Sequence, residues 1–401
     1  MLTRRPRTAA CFLPILLVAP LGFGAEPAAG VAAPAPVPAT QPKPPEGWRA
    51  MVTDPLDGRF DMSNWLLRNK GFLPVPMIIT EPAVGYGGGL GLLFFHANEG
   101  QGVDGKPVPP SITAVFGMGT ENGTWAGGAA HVGFWRQNTI RTTSALIVPS
   151  VNIDFYGGGD LPEIPGGLAY QLQGWMAVQN ALFRLSTSNW WAGAQLIYLD
   201  AGTSLRDPPA NPALAELGGD VRNLGAGAIL QYDSRNNIFS PTTGWAATLR
   251  LREHWGEFHD DFKYTAMDAD SKYYFKTGED WYFGWRVKGN FSGDETPFYA
   301  LPFISMRGIP MARYQGEQVL STEIEARYAI DSRWSVLGFG GLGRASSSEE
   351  KLSKATDRWA GGAGFRYLIA RQLGFQTGID IARGPEEWAF YIQVGSSWAL
   401  F

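Results

Sequence analysis

The sequence predicts an all-β fold, a transmembrane outer-membrane β-barrel of about 16 antiparallel strands. Three observations point there. After residue 72, apolar and polar residues alternate in segment after segment, and helical periodicity is almost absent. The segments run about 9–13 residues, enough to cross a membrane at a tilt. Aromatic residues gather near segment ends, at Trp125, Trp135, Trp190, Trp191, Trp281, Trp334 and Trp359, as interfacial girdles do.

The chain opens differently. Arg4, Arg5 and Arg7 precede the apolar run ACFLPILLVAPLGFGA, which ends in small residues. Residues 1–25 therefore read as a secretory signal peptide, cleaved just after Ala25. A membrane anchor fits poorly, because the run is short of the ~20 residues of a helical span and holds Pro14 and Pro20. Cys11, the sole cysteine, lies inside this leader without a lipobox, so disulfide and thiolate chemistry are excluded from the mature chain. Loss of the three leader arginines takes the formal charge from −4 to −7, a balance that does not invite nucleic acid. Residues 26–45 are a Pro/Ala-rich linker.

Residues 46–72 form a periplasmic or plug segment with one small helix, FDMSNWLLRNKG, with Asp61 or Ser63 as N-cap and Gly71 as its stop. Asp54, Asp57 and Asp61 lack the full ligand alternation of a calcium loop, so they read as capping and turn residues.

From residue 73 to 401 the barrel follows. In WYFGWRVKG, Trp281, Phe283, Trp285 and Val287 share one phase, while Arg286 and Lys288 take the other. In VLSTEIEARYAI, Glu323, Glu325 and Arg327 oppose Leu320, Ile324, Ala326 and Tyr328. In TGWAATLRLRE, Trp245, Ala247, Leu249 and Leu251 oppose Arg250 and Arg252; in LGFQTGIDIA, Phe375, Ile379 and Ile381 oppose Gln376 and Asp380. A soluble sandwich would also alternate. Strand length, the aromatic ends and a chain that finishes within a strand favour the barrel, the one sheet that satisfies its backbone in lipid. Segments are expected near 77–82, 88–96, 111–119, 124–135, 139–155, 168–184, 190–200, 222–232, 245–255, 263–275, 281–290, 319–330, 334–344, 360–369, 373–382 and 387–400. Connections 97–110, 201–220, 292–318 and 345–358 are long and the others short, the asymmetry of external loops and periplasmic turns.

Three motifs add a family likeness. MRGIP resembles the [VI]RG[FY] loop motif of the BamA/TamA family, the bacterial surface antigen family. YDSRNNIFSPTTGW, with Asp233, Arg235, Asn237, Pro241 and Gly244, resembles its D-x-R-x-N-x-x-x-P-x-x-G hairpin. FYIQVGSSW, with Phe390, Ile392, Val394, Gly395 and Trp398, resembles its C-terminal strand signal. The likeness spans residues 220–401. It implies that the long loop folds into the lumen, with Arg307 against the inner wall and Gly308 at a tight turn. Glu325 is then the best carboxylate partner and Glu323 the next, both on the inward phase. Two departures stand out. Gly341 occupies the place of the family's second acidic residue, for which Asp380 is a substitute. Residues 26–72 are too few for a POTRA module, so the likeness is to a barrel-only member.

No G-x-S-x-G, H-E-x-x-H or P-loop occurs, so no enzyme is expected, and neither cofactor nor metal. His96, His131, His254 and His259 read as solvated or interfacial, and Asp268 and Asp270 as pairing with Arg250 and Arg252 across neighbouring strands. The family likeness implies assistance in inserting or translocating proteins or lipids, through a weak seam between the first and last strands. The Gly-rich stretch 85–95 and Gly395 suit such a seam. A passive pore or structural surface barrel is the alternative reading. Expected partners are outer-membrane lipid, the barrel-assembly machinery during insertion, and an unidentified client protein or lipid.

Overall fold

The computed structural model describes residues 47–68, 71–81, 84–155, 168–206, 218–347 and 350–398, all within the unit Pro44–Phe401. The expected signal peptide and linker lie outside the described residues. Sixteen strands form one sheet in chain order, each antiparallel to the next. They are β1 (Phe72–Glu81), β2 (Gly85–His96), β3 (Ser111–Thr120), β4 (Trp125–Trp135), β5 (Ile140–Phe155), β6 (Leu168–Arg184), β7 (Trp190–Leu205) and β8 (Gly219–Asp233). The second half is β9 (Gly244–Phe258), β10 (Asp260–Thr277), β11 (Trp281–Ser292), β12 (Gln318–Ala329), β13 (Trp334–Ser346), β14 (Arg358–Ala370), β15 (Phe375–Arg383) and β16 (Trp388–Val394). No helix of the described residues is long and apolar enough to cross a membrane. Two short helices, α1 (Trp48–Met51) and α2 (Ser63–Arg68), precede β1.

The pleat sorts the side chains as the alternation predicts. On β12, Ile324 is 57% exposed on the outer wall, while Glu323 is 6% exposed on the inner. The sheet closes nearly into a barrel: β1 and β16 are its two edges, and among the described residues no ladder joins them. Pro74 and Pro76 sit in the β1–β2 ladder opposite Leu92 and Leu90. A proline fits there only where its nitrogen points away from the paired strand, so both face the free edge and offer it no N–H.

Several expectations change. β1 begins at Phe72 rather than near 77, and β16 stops at Val394 rather than running to 400. Gly395, at φ +78°, turns the chain, and Trp398 is buried inside instead of facing lipid. Trp191 is also an inward residue, because its neighbour Trp190 holds the outer face and successive strand residues cannot share one. Phe375 leaves the lipid phase too. It lies beside the register shift at Leu368/Ala370 and packs its ring on Phe95 and Phe239. Lastly, 97–110 joins strands at the rim where β1 begins, the near rim, whereas 293–317 lies at the far rim.

Apolar clusters fill both ends of the lumen. At the near rim Leu66 of α2 meets Leu73, Phe95, Ile112, Phe239, Leu373 and Phe375. Towards the far rim Phe298 and Leu301 pack on Ile153 and Tyr170, and Ile304, Met306 and Ile309 on Val319 and Ala360. Gly71 donates its N–H to Trp65 O at 3.1 Å. It is glycine because a Cβ would stand 2.5 Å from the Trp65 ring, not because it takes the left-handed stop conformation expected.

Candidate functional site

The connection from β11 to β12 descends into the lumen as a small hairpin. Ile304 N–H bonds Tyr314 O at 3.0 Å, and Gly316 N–H bonds Pro302 O at 3.0 Å. Its tip is a turn closed by Ile309 N–H on Met306 O, and Arg307 and Gly308 are the two residues inside it. The tip needs bare wall. A Cβ on Gly343 would lie 2.7 Å from Ile304, and one on Gly341 would lie 3.0 Å from Met306 Sδ and 2.6 Å from Thr322 O. An aspartate at 341 would strike the loop.

Arg307 spans the wall. It donates to Glu325 Oε2 on β12 at 2.9 Å and to Asp380 Oδ2 on β15 at 2.6 Å. Its guanidinium lies over the Phe339 ring of β13, 3.5 Å from the centroid. Asp380 is fully buried and also receives both nitrogens of Arg366, at 2.6 and 2.9 Å. So Asp380 supplies the second contact that Gly341 does not. Glu323, expected as a partner, makes no bond to Arg307; Arg286 lies 3.7 Å from it. Gly308 has φ +93° and donates its N–H to Tyr391 Oη on β16 at 2.9 Å. A Cβ there would press on Arg383, Ala382 and Gly384 at 3.1–3.2 Å, which leaves glycine alone. The lock thereby joins β12, β13, β15 and the last strand.

The β8–β9 connection plugs the near rim. Asp233 accepts Arg235 Nε at 2.9 Å and Arg141 of β5 at 2.9 Å. Arg141 in turn stacks on Trp191, 3.7 Å from its centroid, with Arg184 also over that ring at 4.7 Å. Asn237 Oδ1 caps the N–H groups of Phe239 and Ser240, and its Nδ2 reaches Leu373 O at 2.8 Å. Pro241 is buried, and Gly244 at φ +107° passes within 2.6 Å of Ser234 O, measured from where its Cβ would be. At the other end of the chain, Phe390, Ile392 and Val394 share the outer phase of β16. Gly395 then turns inward, Lys272 Nζ donates to Trp398 O at 2.6 Å, and Arg366 reaches Ser397 Oγ at 3.2 Å.

Several residues were not legible from spacing. Arg333, in the β12–β13 turn, gathers Asp54 at 2.5 Å, Asp57 at 2.8 Å and Asp61 at 2.6 Å, strapping the N-terminal segment to the near rim. Arg371 adds Asp54 and Asp57 at 2.8 and 2.5 Å. The aspartate spacing was the signal, but its partner lies 272 residues from Asp61. Hydrogen bonds from Arg333 hold the Asp57 carboxyl well below the usual carboxylate range. Burial pushes Asp61 up, yet hydrogen bonds from Ser63, Arg333 and the Arg371 N–H outweigh it and keep it low. Phe339, Arg366 and Tyr391 likewise join the Arg307 lock only in three dimensions. The expected Arg250–Asp pairing is corrected as well. Asp268 takes Arg252 and Asn290, and Asp270 takes Arg286 and Lys272. His254 is buried against Tyr264 rather than solvated.

No curated protein matches the chain in sequence. Residues 169–305 match the Omp85 superfamily domain. In fold the chain is similar to BamA from Haemophilus ducreyi lacking POTRA domains 1–3, at 12% identity and TM-score 0.51, over 80% of this chain and 68% of that one. It is also similar to CdiB from Acinetobacter baumannii, at 11% identity and TM-score 0.53, over 80% of this chain and 59% of that one. The chain thus spans under two thirds of the CdiB length. Among the described residues no POTRA-like module precedes β1. The chain thus carries an Omp85 superfamily domain match over β6 to β11, within a sixteen-stranded, nearly closed β-barrel similar in fold to the BamA barrel.

Proposed function

We propose that this barrel assists the insertion or translocation of proteins or lipids by opening between β1 and β16, without a chemical step. The seam carries this reading. It is the only break in the strand order of the described residues, and Pro74 and Pro76 keep one of its edges short of donors. β16 pairs over seven residues with β15 alone, so separating it from β1 breaks no ladder. The Arg307 lock braces β12, β13 and β15 beside the seam and reaches β16 through the hydrogen bond from Gly308 to Tyr391. Clients would be a protein or a lipid, met in the outer membrane or arriving from the periplasm, and the barrel-assembly machinery would insert the chain itself.

Cysteine pairs introduced across β1 and β16 test it. The barrel crosslinked at the seam should fail to restore the outer-membrane protein and lipid profile of a deletion strain, and reduction should restore it. Full restoration by the crosslinked form would rule out lateral opening. The inward loop and the near-rim plug favour this reading over a passive pore. In planar bilayers the intact barrel should be silent and should conduct once residues 298–316 are deleted; a steady conductance from the intact protein would favour the pore.

A further inference from the structure

Against the near-rim plug, inside the wall of β3 to β10, lies a cavity of about 480 Å³. Arg141, Arg235, Arg250, Arg252 and Lys272 line it, with Asp270 the only carboxylate on its wall among the described residues. For a chain of net negative charge, this is a local excess of cations. Most of them are engaged. Arg141 and Arg235 share Asp233, Arg252 pairs with Asp268 and bonds Gln195 Oε1 at 2.9 Å, and Lys272 lies 3.3 Å from Asp270.

Arg250 is the exception. Its register neighbours are Ile229 on β8 and Asp268 on β10. Asp268 gives Oδ2 to Arg252 and Oδ1 to Asn290. Asp270 takes Arg286 on both oxygens and Lys272 beside Oδ2. Among the described residues Arg250 makes no ion pair, and its Nε is buried without a hydrogen-bond partner. A guanidinium left facing a confined chamber is stabilised by any anion that reaches it. Its fork suits two oxygens of one phosphoryl group, and the neighbouring cations suit a dianion.

A route exists. A cavity of about 720 Å³ at the near rim shares Arg141, Arg235 and Ile238 with the chamber. The Asp233 ion pairs stand at this shared wall, so an anion coming from that rim meets first the two arginines that Asp233 holds.

We infer that this chamber is a binding site for a phosphoryl-bearing anion, seated on Arg250 and flanked by Arg252 and Lys272. The inference is independent of the seam. The phosphoryl group could belong to a soluble phosphate or to a lipid headgroup, and the test separates the two. The full mature barrel, in nonionic detergent, is titrated with inorganic phosphate and with dihexanoyl phosphatidic acid while its unfolding temperature is followed by tryptophan fluorescence. At matched ionic strength, one or both should raise the midpoint where chloride does not. A response to phosphate assigns a soluble source, and a response to the phosphatidic acid alone assigns a headgroup.

Arg250→Gln should weaken the response at least tenfold, and Arg250→Lys should keep part of it. Arg344→Gln, at the exposed pair with Asp357, should change nothing. Should Arg250→Gln fold poorly, Thr248→Asp keeps Arg250 and delivers a carboxylate to the same wall, and should give the same loss. Equal responses in wild type and in the Arg250 and Thr248 variants, or no response beyond chloride, would overturn the assignment.

Discussion

Arg307 and Asp380 are 73 residues apart in the chain and 2.6 Å apart in the lumen. Asp380 is fully buried and serves two arginines, so the pair ties the long loop to the same carboxylate that anchors β14 to β15. Breaking a buried pair by deleting one partner costs about 3–5 kcal/mol, because the other charge is stranded. Arg307→Ala should therefore lower the temperature at which the folded band is lost in heat-modifiability gels, and lower refolding yield. Asp380→Asn should do more harm, since Arg366 loses its partner as well. An unchanged transition in Arg307→Ala would mean the loop is held by its apolar contacts alone.

Gly308 tests the turn itself. Its φ of +93° and the crowding by Arg383 and Gly384 both exclude a side chain. Gly308→Ala should destabilise the barrel by about 1–3 kcal/mol from backbone strain of this kind. Gly105→Ala, at φ +74° in open space, should cost less, and comparing their unfolding midpoints separates strain from crowding.

The strap on Arg333 is pH-dependent with a definite sign. Asp57 and Asp61 are held below the ordinary carboxylate range in the folded state. Their contribution is full above the unfolded carboxylate value of about 4. It fades as the pH falls from there towards the folded values. A spin label at Leu56 should stay immobile from pH 8 to 5 and gain mobility below about pH 3. Arg333→Ala should free it at neutral pH, where protonation cannot be the cause.

Pro74 and Pro76 predict a change in the opposite direction. Pro74→Val with Pro76→Val returns two N–H donors to the free edge of β1. The seam should then zip. Amide exchange in β1 and β16 should slow and the unfolding midpoint should rise. If opening between these strands is the working motion, the double variant should also lose function. Exchange unchanged at the seam would show that the prolines do not govern it.

By itself the sequence determined the wall. Strand alternation is a local property of the pleat, so which phase of β9, β11 or β12 faces lipid was readable from spacing alone. The motifs around Arg307 and Asp233 also marked segments that do turn inward; strand phase left Glu323 and Glu325 alike, and the family likeness singled out Glu325. Tertiary structure decided the rest. Trp191, Phe375 and Trp398 look like girdle or lipid residues, yet each is buried inside, because strand phase, a register shift and a glycine turn act beyond a short window. The three aspartates found Arg333, and Arg250 lost its expected carboxylates, for the same reason. Ion pairing depends on which strands the closing barrel sets side by side and opposite, and a carboxylate's two oxygens go to whichever cations arrive nearest.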